Sequence, residues 1–287
     1  MMFLGTGASE SIPNPLCHCP VCQDARLVSK YAKCRSMFLV DSHNLIDFGP
    51  DLFPACHRFS LDLSDLENVF ITHTHGDHFC LENMDVVKYS MTRDGRPLNF
   101  YLSPAAYDLC QDAMKTAPKL PGIRNLVKAV NLGNAKLVKV VPYQWFETSG
   151  LRVMAVESSH TVTAEEHAIN YLFEKEGKRF LYACDSGRYL SQALEALRGA
   201  QVDALAMDCT WGLCQKYDST RHLNCEDFCL QLKQFEQYGI LGCKTQVYAT
   251  HVNHKQGATH AQLQHWFDGN SPFPVTVAMD GMRVELQ

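Results

Sequence analysis

Apolar positions along the chain fall mostly into short β-branched runs, each closed by a cluster of polar residues. Val69-Phe70-Ile71-Thr72 is the plainest run, and its shortness and composition predict a buried strand. Ser36-Met37-Phe38-Leu39-Val40 and Asn44-Leu45-Ile46-Asp47 predict two more, joined by Asp41-Ser42-His43. Further strands are expected from Met2, across Leu137 to Val141, Arg152 to Glu157, Arg179 to Cys184, Val202 to Cys209 and Gln246 to Thr250. Helical spacing appears over Leu81 to Met91 and over Pro104 to Thr116, where Ser103 and Pro104 are start signals and Pro118 and Pro121-Gly122 are breaks. Tyr189 to Leu197 and a segment running to about Gln237 are also expected to be helical. The alternation predicts an α/β fold.

The polar closures carry the chemistry. Behind the 69–72 strand stands Thr72-His73-Thr74-His75-Gly76-Asp77-His78-Phe79. His73 and His75 share a face at the strand period of two, and the turn that Gly76 permits lets Asp77 and His78 face a second ion beside the first. His160 follows the strand that ends at Glu157, with His167 as a competitor for the same role. Asp185 closes the 179–184 strand, where it could also cap the following helix. Asp208 ends another strand near the same rim, and His251 and His254 follow the 246–250 strand. One of that last pair can complete a second metal.

The 287 residues are 46% hydrophobic and 20% charged, enough for a large core and compatible with one α/β domain of two similar halves over 1–287. A formal net charge of -5 argues against a broad basic face, so a small substrate is expected and nucleic acid is not. The first residues lack a basic, apolar export signal and no run approaches a membrane span, so a cytoplasmic location without a membrane partner is expected. Thirteen cysteines then read as reduced thiols and metal ligands. Three of them form Cys17-His18-Cys19-Pro20-Val21-Cys22, a Pro-rich loop without periodicity at about 15–24, where a structural zinc is expected. A closed tetrahedral site needs a fourth ligand, for which His18, Cys34 or a distant histidine are candidates.

The His-x-His-x-Asp-His cluster behind a strand resembles the signature of the metallo-β-lactamase superfamily. That resemblance implies an αββα four-layer sandwich, with Asp47 supporting the metal-site loops through hydrogen bonds and Asp185 bridging two ions. The opening Phe3-Leu4-Gly5-Thr6-Gly7 looks like that of the cyclic-phosphodiesterase and tRNA-maturation branches, where the turn would border the metal site. With the cysteine loop, a pre-helical His222, and Thr250-His251-Val252-Asn253-His254 before Asp280-Gly281-Met282, nearly the whole chain resembles the cyclic-phosphate phosphodiesterases of the bacterial carbon-phosphorus lyase pathway. Carried over, that implies His73, His75 and His160 on one metal, Asp77, His78 and His251 on the other, and His254 as fourth ligand of the cysteine zinc. His222 and Asp77 would be the catalytic residues, with two zinc or manganese ions holding a bridging hydroxide and His222 acting as general acid on a small phosphodiester. A segment at about 81–134 reads as a helical insertion over the site, and a homodimer is left open. Other readings of the same motif are a thioester, lactam or RNA-processing hydrolase, and a non-catalytic carrier of the pyrroloquinoline-quinone biosynthesis type.

Overall fold

A computed structural model describes residues 1–90 and 95–286. Two mixed sheets face each other, each backed by helices, in the layered α/β sandwich that the resemblance implies. The first sheet has six strands in chain order: β1 (Met2–Gly5), β2 (Met37–Asp41), β3 (Asn44–Ile46), β4 (Asn68–Phe70), β5 (Leu98–Leu102) and β6 (Ala135–Lys139). The second has seven: β7 (Trp145–Thr148), β8 (Leu151–Thr161), β9 (His167–Lys175), β10 (Lys178–Ala183), β11 (Val202–Asp208), β12 (Leu241–Thr250) and β13 (Val275–Val277). From β10 to β13 neighbours run parallel, so these strands end at one edge of the sheet.

The runs are continuously apolar because both faces of the strands are buried. In β10, Phe180 and Tyr182 enter the core between the sheets while Leu181 and Ala183 enter the outer core under the helices. Phe70 likewise faces the opposite sheet, and Val69 and Ile71 face away from it. Helices α1 (Pro20–Leu27), α6 (Ser191–Ala196), α7 (Cys225–Gln237) and α8 (His260–Asn270) cover the second sheet. Helices α2 (Leu52–Phe59), α3 (Met84–Lys88), α4 (Pro104–Thr116) and α5 (Pro121–Asn131) cover the first.

Two expectations are corrected. The segment at 81–134 is not a helical insertion, because β5 lies within it and pairs in parallel with both β4 and β6. Its run Leu98-Asn99-Phe100-Tyr101-Leu102 is a sheet strand whose asparagine interrupts the apolar pattern; Asn99 donates to the Glu67 carbonyl at the sheet end. Pro121 starts α5 at its first turn, where a missing N–H costs nothing. The cysteine segment is likewise not all loop, since Pro20 opens α1 and Cys22 sits inside that helix. The expected helix ends at Met91, which lies outside the described residues; α3 itself ends at Lys88.

Candidate metal and catalytic site

The polar closures converge on one cavity of about 650 Å³ at the strand ends, lined by His75, Asp77, His160, Asp185, His222 and His251 among others. Local backbone geometry aims them. Asp47, Asp185 and His251 adopt left-handed φ values of 65, 50 and 57°, rare for residues with a Cβ, each at the point where a strand gives way to a turn. The Gly-x-Gly turn also belongs to the rim, because Ala8, Ser9 and Glu10 line the cavity. Gly5 is required by close approach, as a Cβ there would lie 1.8 Å from the Arg35 carbonyl oxygen.

His73, His75 and His160 bring ring nitrogens within 4.8 Å of one another, and an Asp77 carboxylate oxygen lies within the same distance of ring nitrogens of His78 and His251. His73 Nε2 and His75 Nδ1 are 2.8 Å apart, and His160 Nε2 is 3.5 Å from His75 Nδ1. Asp185 lies between the groups: its Oδ2 is 2.7 Å from His78 Nε2 and 3.2 Å from His251 Nε2, and it also clusters with His73. Ligand atoms bound to one ion at about 2.1 Å stand roughly 3 to 3.4 Å apart, close to these separations. His78 Nε2, His251 Nε2 and Asp185 Oδ2 are buried and crowded together yet form no hydrogen bond of good geometry, a costly state that a cation would relieve. None of the ion pairs of Asp77, Asp185 and Asp208 among the described residues involves Lys or Arg. The donor set therefore fits divalent metal.

Electrostatics sort the imidazoles. Burial holds His73 well below the ordinary imidazole range and brings His160 down to about 4, which keeps both neutral and free to donate lone pairs. Burial opposes charge on His78 too, but the carboxylates of Asp185, Asp47 and Asp77 outweigh it and draw positive charge to this ring. Asp47 accepts from the Thr72 amide at 2.8 Å and from His78 Nδ1 at 2.6 Å, and so turns His78 Nε2 toward Asp185. Thr74 is fixed by Glu166, which accepts its amide at 2.8 Å.

His222 sits beside this cluster, its ring 4.7 Å from that of His160. Asn224 caps α7 by accepting from the Asp227 amide, which places His222 just ahead of the helix. Asp208 accepts from His222 Nδ1 at 2.9 Å, from the Leu223 amide at 3.1 Å and from Thr210 Oγ1 at 2.9 Å. Burial disfavours the His222 imidazolium, yet the Asp208 carboxylate overcomes it and raises the pKa above the ordinary value. The role of Asp208 was not legible beyond its place at a strand end, the same signal that marks Asp47 and Asp185. Thr210, Arg221, Trp211 and Tyr217, which also line the cavity, carried no sequence signal of their own.

Cys17, Cys19, Cys22 and His254 form a separate group, with Cys19 Sγ 3.7 Å from His254 Nδ1 and the other ring nitrogen 3.9 Å from Glu10. Burial pushes the Cys22 thiol up to about 12, while the Cys19 amide donates to Cys17 Sγ and holds that thiol below its ordinary value. Four soft and imidazole donors in this arrangement fit zinc. His18 is exposed, and neither it nor Cys34 joins a donor group among the described residues. His167 is also exposed and outside both clusters. None of the thirteen cysteines is in a disulfide, and no helix of the described residues is long and apolar enough to cross a membrane.

No curated protein matches the chain. Among solved structures it is similar to a diphosphatase from the PhnP family, with 20% identity, TM-score 0.73 and coverage of 100% of this chain and 97% of that one. It is also similar to Zn²⁺-bound PqqB from Methylobacterium extorquens, with 16% identity, TM-score 0.68 and 99% of each chain covered. Human tRNase Z, short form, follows with 16% identity, TM-score 0.62, and 100% and 98% covered. Identities this low carry the fold alone. The sequence model of the Beta-lactamase superfamily domain matches residues 43–252, well over half of the chain and spanning the His/Asp motif through His251: the chain belongs to the β-lactamase superfamily.

Proposed function

We propose that this superfamily member is a hydrolase of small phosphodiesters that works with a pair of divalent ions and uses His222 as general acid. His73, His75 and His160 would hold one ion, Asp77, His78 and His251 the other, and Asp185 would touch both. The observation that carries the reading is Asp185, whose carboxylate clusters with donors of both groups while its Oδ2 is buried without a hydrogen-bond partner. When bound, two such ions supply a hydroxide nucleophile near neutral pH and positive charge against the phosphoryl oxygens. Mixed imidazole and carboxylate donors suit zinc or manganese. Cys17, Cys19, Cys22 and His254 would hold a third, structural zinc.

The rest is done by the chain. Asp47 and Glu166 fix the loop that carries His73 to His78. Asp208 fixes the His222 ring through Nδ1 and favours its protonated form, which leaves Nε2 to give a proton to the departing alkoxide. A thioester hydrolase, whose thiolate leaves unprotonated, would need no such proton donor, and a carrier would need neither the donor nor the metal pair, so the Asp208–His222 pair favours diester cleavage over these two. Phosphorus NMR of a ribose 1,2-cyclic phosphate with zinc- or manganese-loaded protein tests the reading. Opening to a phosphomonoester that is lost in His222→Ala supports it. Absence of turnover with full metal content would discard this substrate and move attention to other diesters and to thioesters.

A further inference from the structure

Between Asp208 and His222 the chain builds a wall of the cavity that the metal chemistry does not use. Trp211 and Tyr217 stack there, with ring centroids 4.2 Å apart and planes 29° from parallel. Both line the cavity, and Tyr217 is 36% exposed. The Trp211 edge meets the His222 ring at 5.6 Å and 88°, so the aromatic pair begins where the proposed acid ends. The backbone under it is fixed. The Trp211 amide donates to the Leu223 carbonyl at 3.0 Å, and its own carbonyl accepts from Cys214 at 2.7 Å. Gly212 has φ of 46° and packs so closely that a Cβ would lie 2.6 Å from Gln256.

The charges of the rim point the same way. Glu10 is taken up by Lys255, at 2.5 Å, and by Asn253. Asp218 accepts from the Thr220 amide at 3.1 Å and its hydroxyl at 2.5 Å. Arg221, by contrast, gives one hydrogen bond to the Thr161 carbonyl and makes no ion pair among the described residues. The cavity thus offers a guanidinium for an anion beside an aromatic platform, within a volume of about 650 Å³ that suits a mononucleotide.

We infer that the diester taken by this site carries a planar heteroaromatic ring, as a nucleoside does, seated on the Trp211–Tyr217 stack with Arg221 on its phosphate oxygens. The inference rests on the phosphodiesterase reading but is separable from it. A sugar alone would leave the two rings facing water, whereas a base stacked on an aromatic side chain is stabilised by an amount that corresponds to roughly tenfold or more in affinity.

The test compares adenosine 2′,3′-cyclic phosphate with the same cyclic phosphate of 1-O-methylribose, which lacks the base. The expected kcat/KM ratio is on the order of tenfold in favour of the adenosine compound. The ratio should fall toward one in Tyr217→Leu, persist in Tyr217→Phe, and persist in Arg221→Gln while both diesters slow. Calorimetric binding of adenosine monophosphate against ribose 5-phosphate, with the same variants, gives the ratio without turnover. A wild-type ratio of one, or a ratio unchanged in Tyr217→Leu, overturns the inference while leaving diester hydrolysis intact. Failure of both diesters to turn over, with the binding ratio as expected, would instead sink the phosphodiesterase reading and keep the nucleotide platform.

Discussion

The Asp208 carboxylate accepts from His222 Nδ1 at 2.9 Å, joining the end of β11 to the turn that leads into α7. The carboxylate is fully buried and held near a pKa of about 2; burial raises it, but the His222 charge more than compensates. The pair therefore favours a proton on the ring. His222→Ala should lower kcat by about 10²- to 10⁴-fold with metal content unchanged, the range for a lost general acid. Metal analysis beside the rate assay checks this, and loss of metal would make His222 a ligand instead.

A pH profile separates the acid from its support. Because the His222 pKa is raised, the protonated ring persists to higher pH than an ordinary imidazole would, and activity is lost as pH climbs through that elevated value. Asp208→Asn removes the strongest charge that raises it, so the alkaline limb of the kcat profile should move to lower pH. An unmoved limb would mean that another group sets it.

Asp47 is expected to act at a distance from the substrate. Asp47→Ala would leave the Thr72 amide and His78 Nδ1 buried without their acceptor, at a cost of about 1–3 kcal/mol each. Metal affinity should fall roughly 10- to 100-fold, as for other lost supports of a ligating histidine. Denaturant unfolding and chelator competition measure the two effects separately.

The cysteine group makes a stoichiometric prediction. Cys19→Ser should release about one equivalent of zinc and lower stability. Partial loss of activity should follow, because His254 lies three residues from His251. Emission spectroscopy on the purified variant counts the metal, and an unchanged count removes the zinc assignment.

Lys33 is fully buried, donating to the Ala278 carbonyl at 2.5 Å and to Thr6 at 3.2 Å beside Asp280. Burial lowers its pKa to about 8 from 10.5, so the unfolded chain holds more protons than the folded one between those values. Its contribution therefore becomes more favourable as pH rises from about 8 to 10.5. The stability difference between wild type and Lys33→Met should change in that direction across the window. A difference independent of pH would show that Lys33 is not depressed.

Much of this fold was legible because both faces of its strands are buried: the runs at 69–71, 180–184 and 204–207 are apolar throughout. The candidate metal-holding residues stood out because most of them follow an apolar run and the motif from His73 to His78 is dense, whereas His160 lies inside β8. What escaped was set by tertiary context. β5 was hidden by Asn99, whose polarity is satisfied at the sheet end, and α1 by the Pro20 that starts it. The left-handed turns at Asp47, Asp185 and His251 have no glycine to announce them. Asp208 and the Trp211–Tyr217 wall acquire meaning only when the chain from β11 to α7 folds over the cavity.

The proposed dinuclear site is tested most directly by metal counts on desalted wild-type protein and on Asp185→Ala. Three divalent ions per wild-type chain are predicted, falling to the one held by the cysteine group when the carboxylate shared by both clusters is removed. A wild-type count below three, or an Asp185→Ala protein that keeps both additional ions, would contradict the account.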